Sequence, residues 1–415
     1  MRQFPYVRGQ RVDDRYLARV LELMLAILEG RDYARPLDVS GLGYVNLLHI
    51  AVTLAAIPDP ESTGTDETPV AEESAPVQDA EPADEVAALD DADLARAVIE
   101  QAEAEAQSEE DSFFPGSAFH VTVVIEEPEA HLHPQLQHGL VRYLRRAVEE
   151  RLELQVIVSS HAADVITACE TEDLVVVRRD DDGNPVSRTV ASIPFADRER
   201  VLTRTRLHLD ATRSAALFSE RVVLVEGITD AAVVRALAVR WAGDDVVRLA
   251  AVEALSIVAM GTRVGPWPVS FLATPGYELV RRLVVLTDSD VAPGEEFSPP
   301  AWMTQLDGSR VHIAVSEPTL EPAVTLGNER LVEQALSDID IEVPETVDVA
   351  TVHELFKSRR VRDRVVVQDA GPANARKADF ALALANAVRR AAPDAVTVPQ
   401  HIDAMLRFAL DVSRE

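Results

Sequence analysis

Unbroken apolar runs and helical periodicities take turns along the chain. Val222-Val223-Leu224-Val225 and Leu283-Val284-Val285-Leu286 carry no polar residue at alternate positions. Each therefore predicts a strand buried on both faces, as in a parallel sheet. Val121–Ile125, Val156–Val158 and Val311–Val315 supply further strands. Between them Ala231–Ala242 reads as a helix and Asp245–Val252 as the next strand, an alternating pattern with right-handed crossovers. Near the start, Tyr16, Val20, Leu21, Met24 and Leu28 recur at helical spacing. That spacing predicts one amphipathic helix over Asp13–Leu28, stopped by Gly30. Ser40-Gly41-Leu42-Gly43 then feeds a second apolar helix. The expected fold class is α/β.

Composition interrupts this pattern once. From Pro58 to Asp111 the chain turns to Pro, Ala, Asp, Glu, Ser and Thr, with nineteen acidic residues against the single Arg96. Over half of the net charge of −30 resides there, and the remainder is only mildly acidic. A stretch of this kind buries too little apolar surface to offset its ordering entropy. Pro58–Glu85 reads as a disordered linker, and Asp90–Gln107 as a polar helix. At 415 residues and 47% hydrophobic content there is room for two to three domains with proper cores. The lone Cys169 excludes a disulfide framework and fits a reducing, cytoplasmic setting. No apolar run reaches membrane-spanning length, so no membrane partner is expected.

The chemistry gathers where the strands stop. Val225 is followed by Glu226-Gly227-Ile228-Thr229-Asp230, and Leu286 by Thr287-Asp288-Ser289-Asp290. Ligands of parallel α/β sheets collect beyond the carboxyl ends of the strands. If these two strands are neighbours, Glu226, Asp230, Asp288 and Asp290 converge, and carboxylates so crowded call for a cation. Oxygen ligands without His or Cys point to Mg²⁺ or Mn²⁺. The alternative is that each acid caps a turn or helix, as Asp230 would on the first turn of the helix that follows.

Glu-Gly at one strand end and Asp-x-Asp about sixty residues later resemble the Toprim domain, a Mg²⁺-dependent module of topoisomerases, primases and some nucleases. The lead-in Leu209–Glu220, with Arg213 and Leu217-Phe218, resembles more specifically the OLD (overcoming lysogenisation defect) nuclease family. That family fuses an ABC-type ATPase head to a Toprim nuclease. By this resemblance Glu226, Asp288 and Asp290 are catalytic, and Glu226, Asp230, Asp288 and Asp290 hold metal. Thr319-Leu320-Glu321 resembles a further metal-site acid at Glu321, with Glu317 nearby. Lys377 resembles a late lysine that faces the metal-bound phosphate, although a surface lysine at a helix start would look the same. Where the family usually has Glu, Asp230 is one methylene shorter, which bears on occupancy of the second metal and leaves nicking and double-strand cutting both open.

The resemblance also implies ATPase motifs upstream. The strand Val121–Ile125 ends in Glu126-Glu127, and an acid at a strand tip holds the Mg²⁺ of a nucleotide while its neighbour polarises water. Followed by Pro128-Glu129-Ala130-His131-Leu132-His133-Pro134, it resembles a Walker B and D-loop segment, with Glu126 the metal position and Glu127 the base. Val156–Val158 ends in Ser159-Ser160-His161, and His161 resembles the switch histidine. Ser40, Gly41 and Gly43 resemble the ABC signature segment, where a Gly-rich helix start suits a phosphate; a helix simply capped by Ser40 fits those residues equally well. His131 and His133 lack the Cys pair and spacing of a zinc site. No Gly-x-x-x-x-Gly-Lys-[Ser/Thr] loop occurs anywhere, so ATP is expected as a cofactor only if that loop is supplied from elsewhere.

The expected organisation is a partial ABC-type ATPase α/β domain followed by a Toprim domain with a mainly parallel sheet. Its divisions are a helical and signature segment over 1–57, an acidic linker over 58–111, a Walker B to switch-histidine segment over 112–208, and the nuclease domain over 209–415. The expected activity is hydrolysis of DNA phosphodiester bonds with two divalent ions (Mg²⁺ or Mn²⁺) about 4 Å apart. Expected partners are DNA, a second copy of the chain in a homodimer, and a separate Walker A-containing or helicase-like protein. The competing expectation is an ATP-gated, non-cutting nucleic-acid-binding subunit of a defence or repair complex. A topoisomerase or primase would need a Tyr domain or zinc module that the sequence lacks.

Overall fold

The computed structural model describes residues 4–9, 21–26, 34–36, 41–57, 120–180, 182–306, 308–362 and 365–412. The acidic linker, its polar helix, Ser40 and residues 13–20 of the expected first helix lie outside the described residues. Contacts divide the chain into two units, Met1–Ser160 and His161–Glu415.

In the first unit, β1 (Phe4–Gly9), β2 (Leu21–Ala26) and β3 (Ala34–Pro36) form an antiparallel sheet in the order β1-β2-β3. This corrects the expected helix over Asp13–Leu28, because Leu21–Ala26 is a strand paired along its length with Phe4–Gly9. Leu21, Leu23 and Leu25 alternate with Glu22 and Met24. That order satisfies a two-residue period as well as a helical one, and strand pairing decides between them. After the helix Leu42–Ala55 come β4 (Val121–Glu126) and β5 (Leu154–Ser159), two parallel strands joined through the helix Pro134–Glu150. His133 Nδ1 accepts from Gln135 N at 3.4 Å and caps that helix, with Pro134 at its first turn. Leu54, Leu132, Leu140, Leu144 and Leu154 form the core on one side of this strand pair. Its other side is open: Val124 is 61% exposed and its register partner Ile157 is 50% exposed.

The second unit begins with a hairpin of β6 (Val175–Arg179) and β7 (Pro185–Thr189), then the helix Arg198–His208. Its centre is a sheet of β8 (Arg221–Val225), β9 (Ser256–Ala259), β10 (Arg282–Asp288) and β11 (Val311–Ser316). The order is β11-β10-β8-β9 and every pairing is parallel. Successive residues face opposite layers, as the period of a strand requires. Val223, Val225, Val284 and Leu286 pack toward the helices Ile228–Ala242, Lys377–Arg390 and Gln400–Leu410. Val222, Leu224, Leu283 and Val285 pack toward Pro266–Ala273 and Arg198–His208, where Val190, Ile193 and Val201 join the same core. Residues 161–208 thus carry one motif-based assignment and contribute to the core of the other unit.

A second correction concerns Asp245–Val252. Val246–Glu253 is a helix, and the strand starts only at Ser256. Asp245 Oδ1 accepts from the backbone N–H of Val247 and Arg248 at 2.9 and 3.0 Å. The capping acid sets a helix start that the apolar pattern concealed. A short antiparallel pair, β12 (Arg360–Arg362) and β13 (Val365–Gln368), precedes the last two helices.

Candidate functional site

Three adjacent strands deliver acids to one edge of the four-stranded sheet. Glu226 follows β8, Asp288 ends β10, and Glu321 lies on the short helix Leu320–Ala323 after β11. Glu226 Oε1 accepts from Thr287 Oγ1 at 2.6 Å and from the backbone N–H of Asp288 at 3.3 Å. Glu321, only 3% exposed, accepts from Thr319 Oγ1 at 2.9 Å through Oε2. Lys377, the first residue of the helix Lys377–Arg390, lies 3.0 Å from that oxygen and 4.0 Å from Asp288 Oδ2.

Asp230 does what a first-turn acid does, since its Oδ2 accepts from Gly227 N at 2.8 Å. It is also within electrostatic reach of Glu321, Lys377 and Glu226. Burial pushes the Asp288 carboxyl up to about 8, with Glu321, Glu226 and Asp230 adding to the shift and Lys377 opposing it. Burial likewise raises Asp230 to about 6, against the hydrogen bond from Gly227. Burial alone would lower the Lys377 ammonium, but Glu321 and Asp288 hold it above its ordinary value.

The donor chemistry fits a hard divalent cation: Asp288 feels the carboxylates of Glu321, Glu226 and Asp230, all oxygen donors, against the one ammonium of Lys377. The fit is incomplete in one respect. Among the described residues no three Asp, Glu, His or Cys side chains are drawn together closely enough to form a ready-made metal cage. Lys377 stands among the acids where a cation's charge is needed.

Asp290 is not brought into this group. Its backbone is left-handed (φ 56°), and its Oδ2 pairs with Arg263 Nη1 at 2.9 Å. Arg263 Nη2 also donates to the carbonyl of Asp288 at 3.1 Å. Glu317 is exposed. Arg213, part of the lead-in, donates to the carbonyls of His208, Ala259 and Met260 and so ties the end of β9 to the segment before β8. Sequence reasoning missed Thr287, Thr319 and Arg263. A hydroxyl inside the run Leu286-Thr287-Asp288 was a usable signal for the first, because a buried hydroxyl needs a partner. Nothing local marks Arg263.

In the first unit Glu126 ends β4 on its exposed side, in register with Ser159. Glu127 adopts a left-handed backbone (φ 46°) and donates its N–H to the Ser159 carbonyl at 2.9 Å. Ser160 Oγ donates to Glu129 Oε1 at 2.7 Å, which ties the tip of β5 to the turn after β4. Gly41 precedes the helix Leu42–Ala55 without any side-chain cap. Gly43 is buried, and a Cβ there would meet the His131 carbonyl oxygen at 2.4 Å. Its lack of a side chain is explained by that close approach. In the second unit, the His161 ring lies 6.3 Å from that of Phe218, tilted by 57°.

A family model described as an AAA ATPase domain matches residues 94–166, a span that includes Glu126, Glu127 and His161. Over 111 residues the chain is 35% identical to an OLD nuclease of Thermus scotoductus (strain ATCC 700910 / SA-01), covering 26% of this chain and 21% of that protein. Over 121 residues it is 32% identical to the Old nuclease of Escherichia phage P2, covering 28% and 20%. Together the matches are consistent with an OLD-family protein. The aligned stretches span about a fifth of the length of these OLD nucleases. The α/β architecture with parallel sheets agrees with an ATPase-like domain followed by a parallel-sheet domain. No helix among the described residues is long and apolar enough to cross a membrane.

Proposed function

We propose that the sheet edge bearing Glu226, Asp230, Asp288 and Glu321 is the active site of a Toprim-type nuclease that hydrolyses DNA phosphodiester bonds. The observation that carries this reading is the delivery of three acids to one sheet edge by three neighbouring parallel strands, with Lys377 against two of them, Asp288 and Glu321. The names of the relatives and the ATPase-domain match support a nuclease or ATPase function in the same direction. Mg²⁺ or Mn²⁺ held by these four carboxylates would supply Lewis acidity and a bound water of lowered pKa.

The chain's own residues prepare the site in three ways. Thr287 fixes the Glu226 carboxylate by donating to Oε1, so this acid keeps its orientation without a cation. Asp288, raised to about 8 by burial, gives up its proton when positive charge arrives beside it. Lys377 already lies against two of the acids; released from them, its ammonium is positioned to hold a non-bridging phosphate oxygen as negative charge develops there. Asp290 serves this site through Arg263, not as a ligand in the arrangement described.

A second reading draws on the ATPase-domain match over 94–166 and the Glu126-Glu127 pair at a strand tip. It is an ATP-gated nucleic-acid-binding subunit of a defence or repair complex that does not cut, working as a homodimer or with a Walker A-containing or helicase-like partner. Incubating the full chain with supercoiled plasmid in Mg²⁺, Mn²⁺ or EDTA separates the two. Relaxed or linear product in either metal but not in EDTA is expected, and Glu226→Gln should remove it. Intact plasmid under every condition overturns the nuclease reading and leaves the second.

A further inference from the structure

Beside the carboxylate edge lies a cavity of about 550 Å³ that none of the roles above uses. One wall comes from Arg263 and the residues after it, just before the helix Pro266–Ala273; the other is the chain that leaves β10, running from Ser289 to Met303. Ser289 stands between Asp288 and Asp290, so the cavity starts one residue from the acid cluster. Half-buried Phe297, Trp302 and Met303 give it an apolar lining, and Trp302 packs against the core on the Pro266–Ala273 side of the sheet. Arg263, half-exposed and braced by Asp290 and the Asp288 carbonyl, forms its polar side.

We infer that this cavity holds one unstacked nucleotide of a single-stranded or locally opened strand, next to the phosphate presented to the carboxylates. The inference rests on the proposed reading that the carboxylate edge handles nucleic acid. Three features favour this occupant. The volume lies within the range of about 300–1,000 Å³ usual for small-ligand sites. Two aromatic rings and a thioether suit the flat face of a base, which stacks on such side chains whatever its identity. A guanidinium between cavity and acids suits the phosphate that follows the base, with planar donors matched to its oxygens. A base whose face lies on these rings cannot also lie on its neighbours in a duplex, so the occupant has left the stack. Under this assignment Asp290 aims Arg263, which accounts for a left-handed aspartate turned away from the metal-binding acids.

The test is a cycle between protein and ligand carried out in EDTA, where no cutting intervenes. Binding of a fluorescein-labelled oligo(dT) is compared with that of an abasic strand of equal length, for the full chain and for Trp302→Ala. For the unsubstituted protein, loss of the bases should weaken binding about fivefold to a hundredfold, the range for one stacked base. In Trp302→Ala the same loss should be smaller by at least about fivefold, while Trp302→Phe, which keeps a stacking face, restores the difference. Should Trp302→Ala fail to fold, Phe297→Ala runs the same cycle. An equal ratio of the two affinities in protein and variant overturns the subsite. Cutting of plasmid in Mn²⁺ is measured in parallel. Coupling without cutting overturns the nuclease reading alone, cutting without coupling overturns the subsite alone, and the absence of both coupling and cutting overturns both.

Discussion

The molecule contains two sets of parallel strands whose apolar runs end in acids, and they differ in what covers them. In β8, β10 and their neighbours both faces are buried, with Val222, Val223, Leu283 and Val284 wholly inaccessible. In β4 and β5 every second residue is exposed, including Val124 and Ile157 side by side. Parallel sheets are normally covered on both faces. The comparison teaches that a strand-end acid takes its chemistry from the layers around the strand. Asp288 and Glu321 sit where helices close over the sheet edge, and burial leaves their charge poorly solvated. Glu126 ends an uncovered face and stays in contact with solvent.

The sharpest way to break the comparison is to remove one acid from each set. Asp288→Asn should lower metal-dependent cutting by about a hundredfold or more, the usual cost of losing a group that stabilises the transition state. Glu126→Gln should leave cutting in the absence of ATP unchanged within about twofold, because surface substitutions of this kind perturb the fold little. Initial rates on supercoiled plasmid measure both. Equal losses would mean that the two strand ends serve a single reaction.

Packing offers the next contrast. Leu237, 1% exposed in the core between the helix Ile228–Ala242 and the large sheet, should cost about 2–5 kcal/mol as Leu237→Ala. Val124→Ala, on the open face, should change stability by less than about 0.5 kcal/mol. Urea unfolding followed by circular dichroism reads both. A large loss at Val124 would show that its face is covered in solution, for instance by a second copy of the chain.

The sequence was legible where a single constraint dominated. Four branched apolar residues with no alternation suit strands buried on both sides, so β8 and β10 were legible, and the convergence of Glu226 with Asp288 followed once the two strands were neighbours. Lys377 and Glu321 came from resemblance, and the structure brings both beside Asp288. The pattern was ambiguous where two periods coincide. Leu21, Leu23 and Leu25 suit a strand while Tyr16, Val20, Leu21, Met24 and Leu28 suit a helix, and only pairing with Phe4–Gly9 selects the strand. Asp245 belonged to a helix cap, a local hydrogen-bonding choice that hydrophobicity does not encode. The position of Asp290 was not legible for another reason. Its spacing from Asp288 is that of a ligand pair, but side-chain direction depends on a left-handed backbone and on Arg263, twenty-seven residues away.

Proton release supplies a smaller and more specific effect. Asp288 and Asp230, raised by burial to about 8 and about 6, bind protons in the folded state that the unfolded chain has already lost. Their contribution to metal-free stability is therefore full at low pH, below the unfolded carboxylate value, and is lost as pH rises through about 6 and then about 8. A divalent cation that replaces those protons binds more tightly over the same interval, by up to about tenfold per pH unit for each proton expelled. Thermal shifts with Mn²⁺ should thus be larger at the alkaline end of the interval than at the acid end. A shift independent of pH would mean that the cation is held elsewhere.

The smallest expected effect decides what Asp290 does. Asn keeps the size of Asp and tolerates a left-handed backbone, so Asp290→Asn removes charge with little change of shape. The pair it forms with Arg263 is half-exposed on both sides, and such pairs contribute roughly 0–1 kcal/mol. Folding stability should accordingly fall by less than about 1 kcal/mol. If Asp290 only orients Arg263, kcat at saturating DNA should change by less than about tenfold, with most of the loss appearing in KM, because a group engaged equally in bound and reacting states affects binding alone. A ligand to the catalytic cation behaves differently: its loss lowers kcat about as severely as Asp288→Asn and raises the Mn²⁺ concentration needed for half-maximal rate. Titrating Mn²⁺ against the rates of Asp290→Asn and Asp288→Asn therefore separates an acid that aims an arginine from one that holds a metal.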